Sequence, residues 1–168
     1  MKETPEDLDQ LQSLLTRSIV RAGAFLRESF QMPEHSLSAK QITARLQGIQ
    51  NVAFATVTST GEPRVAPIGS IFYRGRFHIP TVATAARARQ VKRNPAVSLA
   101  LFEGNDFAII AHGRAVTLPQ GEAGFAALEA VHREINGGSP AEWGEGVYLR
   151  LDPDVMYTFA RYQERFLE

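Results

Sequence analysis

Four basic residues crowd one short stretch of this chain. Arg87, Arg89, Lys92 and Arg93 stand within "TVATAARARQVKRNPAV", residues Thr81 to Val97. Such density suits three tasks: tracking a nucleic-acid backbone, holding one phosphate of a small cofactor, or solvating a helix face. Ala85–Arg93 reads as a short helix, ended by Pro95, which cannot continue a helix and disfavours helical geometry in the residue before it. At about 100° per residue, with Arg87 as origin, Lys92, Arg89 and Arg93 fall at roughly 140°, 200° and 240°. Val91 and Asn94 fall within about 40° of Arg87. Three bases therefore point away together as a solvated face, and Arg87 alone shares the sheet-facing side with Val91. Arg87 also lies in the first turn, where free backbone N–H groups and the helix dipole favour an anion. Two readings of it stand: an anchor for one phosphate, or a side chain whose stem lies on the sheet edge with its head in water. Nucleic acid is not an expected partner. Little aromatic interleaving accompanies these bases, and 18 basic against 18 acidic residues give the chain no long-range field.

Other chemistries find less support. The chain has no cysteine, so disulfides, thiol nucleophiles and thiolate metal sites are excluded. Its histidines are His35, His78, His112 and His132, and none pairs with another at metal-ligand spacing, so no metal is expected. No serine sits in the glycine pattern of a nucleophile elbow. His112 lies mid-strand beside Gly113, where a structural role competes with a role in a cleft; His78 stands in a similar place.

The elements that must position these residues follow from patterning. The 168 residues fit one domain with a real core, at an ordinary 44% hydrophobic and 21% charged. The opening "MKETPEDLDQ" is polar and acidic, unlike a signal peptide, and no apolar run approaches a membrane span. A soluble, cytoplasmic protein with no membrane partner is expected. Thr4, Pro5 and Asp7 start a helix, with a capping box and proline at its first position. Leu8, Leu11, Leu15, Ala22, Phe25, Leu26 and Phe30 continue it as one apolar stripe to Met32-Pro33. This stripe either covers the rest of the protein or pairs with its own copy. Ser38 and Gln41 start a second helix carrying Ile42 and Leu46 and ending at Gly48. Six strands follow: Val52–Thr58, Arg64–Tyr73, Arg76–Pro80, "AVSLALF", "FAIIAHGRAVTL" and "GVYLRLDPDVMYTFA", the last bent at Pro153. A helix over "PQGEAGFAALEAVHREINGG", stopped by Gly137-Gly138, precedes the sixth. Runs such as "VAFATV" lack clean alternation, which predicts strands covered on both faces and hence a closed barrel wrapped by helices or a second subunit.

Three segments in register, "ATVTSTGEP", "ARARQVKRNPAVSLAL" and "HGRAVTL", resemble the pyridoxamine 5'-phosphate oxidase-like family of split-barrel flavoproteins. The resemblance runs from Ile49 to Ala160. It implies a mostly β fold, a six-stranded antiparallel split β-barrel with an N-terminal helical extension. The chain would divide into residues 1–48, the extension packing on the barrel; 49–160, the flavin-binding barrel; and 161–168, a C-terminal tail. It also implies a homodimer with the cofactor cleft at the interface and a small-molecule substrate. The cofactor is FMN in most of the family, the deazaflavin coenzyme F-420 in some branches, and haem in others. Carried over residue by residue, Arg87 takes the cofactor phosphate, and Pro80 and Thr81 line the phosphate and ribityl chain. Ala66, Pro67 and Ile68 lay their backbone against the isoalloxazine ring.

The departures matter as much. Further basic positions of the oxidase's phosphate clamp align with Ala66, Ile71 and Ala86 here, and its serine with Ala85. The clamp shrinks to Arg87, helped by Arg64 and the helix N-terminus. Each lost charge-assisted hydrogen bond is worth about 1.5–3 kcal/mol. The oxidase's C-terminal arginine and tryptophan signature is missing too, so pyridoxamine phosphate oxidation is not the expected activity. Trp143, in a loop near the partner's cofactor in this family, either caps a planar ring from the partner subunit or packs on the barrel end. His112 is the candidate for a proton donor, flavin-edge contact or haem ligand. The expected function is hydride or electron transfer between FMN and a small, planar, electron-poor substrate. A deazaflavin-dependent reductase, a haem- or tetrapyrrole-binding protein and a non-catalytic flavin binder are the alternatives.

Overall fold

The computed structural model describes residues 2–166; Met1 and the last two residues of the expected tail, Leu167 and Glu168, lie outside the described residues. Six antiparallel strands close into a barrel in the order β1-β2-β3-β6-β5-β4. They are β1 (Ile49–Val57), β2 (Pro63–Tyr73), β3 (Arg76–Val82), β4 (Ala96–Glu103), β5 (Phe107–Pro119) and β6 (Gly146–Ala160). Buried and more exposed residues alternate along β1, β4 and the first half of β5, as a half-buried sheet requires. Val52 and Phe54, Leu99 and Leu101, Ile109 and Ala111, and Leu149 and Leu151 fill the interior.

Helix α1 (Pro5–Arg21) begins at the expected capping box. The Thr4 hydroxyl accepts from the Asp7 N–H at 3.2 Å, and the Asp7 carboxylate accepts from the Thr4 N–H at 2.8 Å. Leu11, Leu14 and Leu15 share one core with the barrel, so α1 packs as part of it. A buried serine pins the contact: the Met156 N–H donates to Ser18 Oγ at 2.9 Å, while Ser18 Oγ donates to the Leu14 carbonyl at 2.8 Å. Helix α3 (Ala39–Arg45) starts at the Ser38–Gln41 capping box and sinks Ile42 and Leu46 into the same core.

Three expectations change. The long N-terminal helix breaks at Ala22-Gly23, where Ala22 turns to extended backbone, and α2 (Ala24–Ser29) restarts as a separate short helix. Glycine costs a helix interior roughly 1 kcal/mol, and no packing offsets that here: Phe25, which the stripe would bury, is 83% exposed. The first strand begins at Ile49 rather than Val52, and the third runs on to Val82. β3 and the start of β6 are buried on both faces, but β1, β4, the first half of β5 and most of β2 are open on their outer side within one chain. Val65 and Phe102, on the outer side, are 70% and 65% exposed. Register places Val65, Ala55, Ser98 and His112 in one outward row, and Pro67, Ala53, Ala100 and Ile110 in the next. The apolar runs reflect this apolar outer face rather than helices over it.

The remaining helices frame one side. Helix α4 (Ala86–Arg93) buries Ala88 and Val91 against the barrel end and is tied to β1 by Thr56, whose hydroxyl donates to Gln90 Oε1 at 2.6 Å. Helix α5 (Ala123–Asn136) packs Phe125, Leu128 and Val131 on the outer side of the barrel against Ile71 and Tyr148. It stops at Gly137, whose φ of 77° is the left-handed geometry that ends helices. A 3₁₀ turn, Pro140–Trp143, leads into β6. No helix of the described residues is long and apolar enough to cross a membrane.

Candidate functional site

The end of β3 runs directly into α4, and the side of β2 and the loop before β6 lie alongside. Between them opens a cleft of about 460 Å³. Ile68, Gly69, Pro80, Thr81, Arg87 and Trp143 are among its lining residues. A Cβ on Gly69 would stand 3.1 Å from Ile49 Cγ2, tighter than ordinary packing, so glycine keeps this stretch of wall low.

Arg87 is half-buried, while Arg89, Lys92 and Arg93 are exposed, as the helical phase predicts. Its Nη1 donates to the Thr81 hydroxyl at 3.1 Å. Arg45, Arg64, Arg76, Arg133, Arg150 and Arg161 each hold a carboxylate. Arg87 holds none among the described residues, and so presents uncompensated positive charge to the cleft, beside the start of α4. A hydroxyl, a guanidinium and a helix N-terminus make a donor set that fits one phosphate. Low walls of glycine, alanine and proline fit a flat ring system beside it.

Other expected site residues fall elsewhere. Arg64 and Ala66 line a second cavity of about 180 Å³, which Arg87 also borders. Arg64 is exposed and already paired with Glu62 at 2.8 Å, so its charge is largely spent on the hairpin. Pro67 borders neither space: neighbouring residues of a strand face opposite ways, and Pro67 points outward opposite Ala53. His112 stands on the outer face, exposed, with Nδ1 2.8 Å from the Ser98 hydroxyl, and is not part of its own chain's cleft. His78, on β3, is buried and does not line the cleft. Burial first, and then the Arg150 guanidinium, push its pKa down to about 4, so it is neutral and structural near neutral pH. Trp143 lines the cleft of its own chain, alongside Arg87.

Of the lining residues that the sequence reading did not name for the site, two carry polar side chains: His132 and Asn136, four apart on α5 and thus on one helix face. That spacing was legible; their meeting with β3 was not. His132 is buried, its Nδ1 2.9 Å from the Tyr148 hydroxyl and its Nε2 3.0 Å from Asn136 Nδ2. Burial, with the Arg133 charge second, lowers its pKa and so favours the neutral ring. Its ring meets Trp143 edge-on at 6.2 Å. Ser139 steadies the turn that carries Trp143, donating to Glu129 at 2.5 Å and accepting from the Ala141 N–H at 3.1 Å. Arg133 adds ion pairs to Glu129 and Glu142 at 3.1 and 2.6 Å. Among the described residues, no group of three His, Asp or Glu side chains is placed to hold a metal.

The sequence model described as "Pyridoxamine 5'-phosphate oxidase" matches residues 38–156. No curated protein matches the chain significantly. Solved structures share the fold at low identity. A conserved hypothetical protein, Rv2991 from Mycobacterium tuberculosis, superposes with a TM-score of 0.67 at 16% identity, covering 81% of this chain and 92% of that one. An FAD-binding protein of Mesorhizobium loti gives 0.57 at 19%, covering 73% and 93%. An F420 reductase gives 0.53 at 18%, covering 67% and 93%.

Proposed function

The chain belongs to the pyridoxamine 5'-phosphate oxidase family, and from that premise we propose that its cleft binds a phosphate-bearing flavin, FMN, for an oxidoreductase reaction. The observation that carries this reading is the uncompensated Arg87 facing the cleft. In it, Arg87 and Thr81 hold the phosphate, and Ile68, Gly69 and Pro80 form a low wall against the ring. The flavin, when bound, supplies hydride or electron transfer, which no side chain can supply. The chain's residues orient it, exclude water from its face and leave room for a small, planar, electron-poor substrate. No paired acid and base stand in the cleft, and flavin chemistry needs none there.

The reading includes a homodimer, joined through the apolar outer face on which Val65, Phe102 and Val116 lie exposed. Ile49, 37% exposed, borders both that face and the cleft, so a partner there would help wall the site. Coenzyme F-420 is the second reading. It is favoured by the reduced basic clamp, and by a fold neighbour that is an F420 reductase.

An absorbance spectrum of the purified protein, followed by calorimetric titration with FMN and with coenzyme F-420, tests these readings. Arg87→Ala is expected to weaken FMN binding by about ten-fold or more, the worth of one charge-assisted hydrogen bond, while Arg89→Ala leaves it unchanged. Equal losses in both variants, or none, overturn the phosphate anchor. Binding of the deazaflavin alone selects the second reading.

A further inference from the structure

Asn136 is held by two contacts that fix which way its amide faces. The Gly138 N–H donates to Oδ1 at 3.0 Å, and Nδ2 lies 3.0 Å from His132 Nε2. The first contact identifies Oδ1 as the acceptor, so Nδ2 is the donor to the imidazole. The Nε2 lone pair is then occupied, and the imidazole proton sits on Nδ1, donating to the Tyr148 oxygen at 2.9 Å. His132 is fully buried, so this tautomer is set by partners and not by water. An amide nitrogen carries two N–H groups. The second N–H of Asn136 has no acceptor among the described residues, and Asn136 is exposed where it lines the cleft. Beside it stands Trp143, 55% exposed and braced by the His132 edge.

We infer that Asn136 and Trp143, positioned by His132, form a ring-recognition wall: Trp143 offers a flat face and Asn136 a pre-aimed donor for a carbonyl on the ring's edge. The ligand class is a planar heteroaromatic bearing an edge carbonyl. This rests on the flavin reading above and adds what selects the ring, independently of what holds the phosphate. Asn136 and Trp143 are specificity residues; His132 is a positioning residue. A donor fixed in advance costs little ordering when ligand binds, and it adds affinity only for rings that carry the carbonyl.

Trp143 is the chain's single tryptophan, so its emission reports on this wall. The experiment titrates the full chain with FMN, riboflavin and phenazine, the last a flat tricycle with no edge carbonyl. Tryptophan quenching gives the affinities; for Trp143→Ala, flavin emission and phenazine absorbance replace it. Asn136→Ala is expected to weaken FMN and riboflavin by about five-fold each, one neutral hydrogen bond, and to leave phenazine unchanged. Asn136→Asp keeps an acceptor for the Gly138 N–H and loses the donor, so it should match Asn136→Ala. His132→Phe should reproduce the same selective loss, and Trp143→Ala should weaken all three ligands. Riboflavin affinity unchanged in Asn136→Ala, with FMN still lost in Arg87→Ala, overturns this inference and leaves the phosphate anchor standing. Selective riboflavin loss with FMN indifferent to Arg87→Ala upholds the wall and overturns the anchor. Equal loss of phenazine and riboflavin in Asn136→Ala overturns the carbonyl assignment. Failure of the wild-type protein to bind any flavin overturns both.

Discussion

At the level of single residues, what separates the chain's arginines is their partners. Arg150 chelates Asp152 with two hydrogen bonds of 2.8 Å, and Arg76 shares that carboxylate at 3.0 Å. These two cations lie near His78, and with burial they hold its pKa down to about 4. Unfolding releases the ring to its ordinary value near 6.5, so the unfolded chain binds the extra proton between those two values. Stability contributed by neutral His78 is therefore complete above pH 6.5 and declines as pH falls towards 4. The span corresponds to about 3 kcal/mol for this nearly inaccessible side chain. Urea unfolding at pH 7 and pH 4.5 should show the decline, and His78→Gln should flatten it. An equal decline in that variant would assign the acid sensitivity to other groups.

Individual elements carry the next pair of predictions. Helix α1 docks on the barrel through its leucines, but its start is set by Thr4. Thr4→Ala removes the hydroxyl that accepts from Asp7 and should cost about 1 kcal/mol in urea unfolding. Flavin binding should survive, because α1 lies away from the cleft. The β5–β6 pairing is less forgiving. Register slips between His112 and Gly113, where β6 bulges, and a Cβ on Gly113 would stand 2.2 Å from the Asp152 carbonyl oxygen. The carbonyl belongs to backbone and a Cβ is fixed directly to it, so neither can rotate aside. Gly113→Ala should cost at least about 3 kcal/mol by the same measurement, more than a surface glycine whose Cβ meets open space. Gly104 is such a control only in space, since its φ of 54° is itself left-handed; Gly23 meets nothing and has ordinary backbone.

For the whole molecule the decisive surface is the outer face of β1, β2, β4 and β5. Its rows are mostly apolar, broken by the Ser98–His112 pair, and the exposed side chains include Val65 and Phe102. Single scattered apolar residues need no partner; in the dimer proposed above, this face is the interface. Sedimentation should give twice the 18.5 kDa chain. Val65→Glu combined with Phe102→Glu should give the single chain and weaken flavin binding together. A wild-type monomer would overturn the dimer, and a monomeric variant with full affinity would place the site within one chain.

Much of this was determined by the sequence alone, wherever the physics is local. Helical phase separated Arg87 from Arg89, Lys92 and Arg93, because 100° per residue holds in any helix. Capping boxes at Thr4 and Ser38, the stop at Gly137 and the order of six strands follow from neighbours in the chain. The matched segments carried the family. Tertiary structure decided the rest, because it depends on residues far apart in sequence. Strand alternation alone sets Pro67 opposite Ala66 and Ile68; which of those faces looks into a cavity, and that Ala66 and Ile68 line different ones, is decided only when the strands pair. Arg64 is the exception: its partner Glu62 stands two residues away, so that pair is local and was within reach of the sequence. His112 had a suggestive place beside Gly113, yet barrel closure turned it outward. His132 and Asn136 were on one helix face from the start; only the packing of α5 on Tyr148 brought that face to β3, where two side chains without a motif became part of a wall.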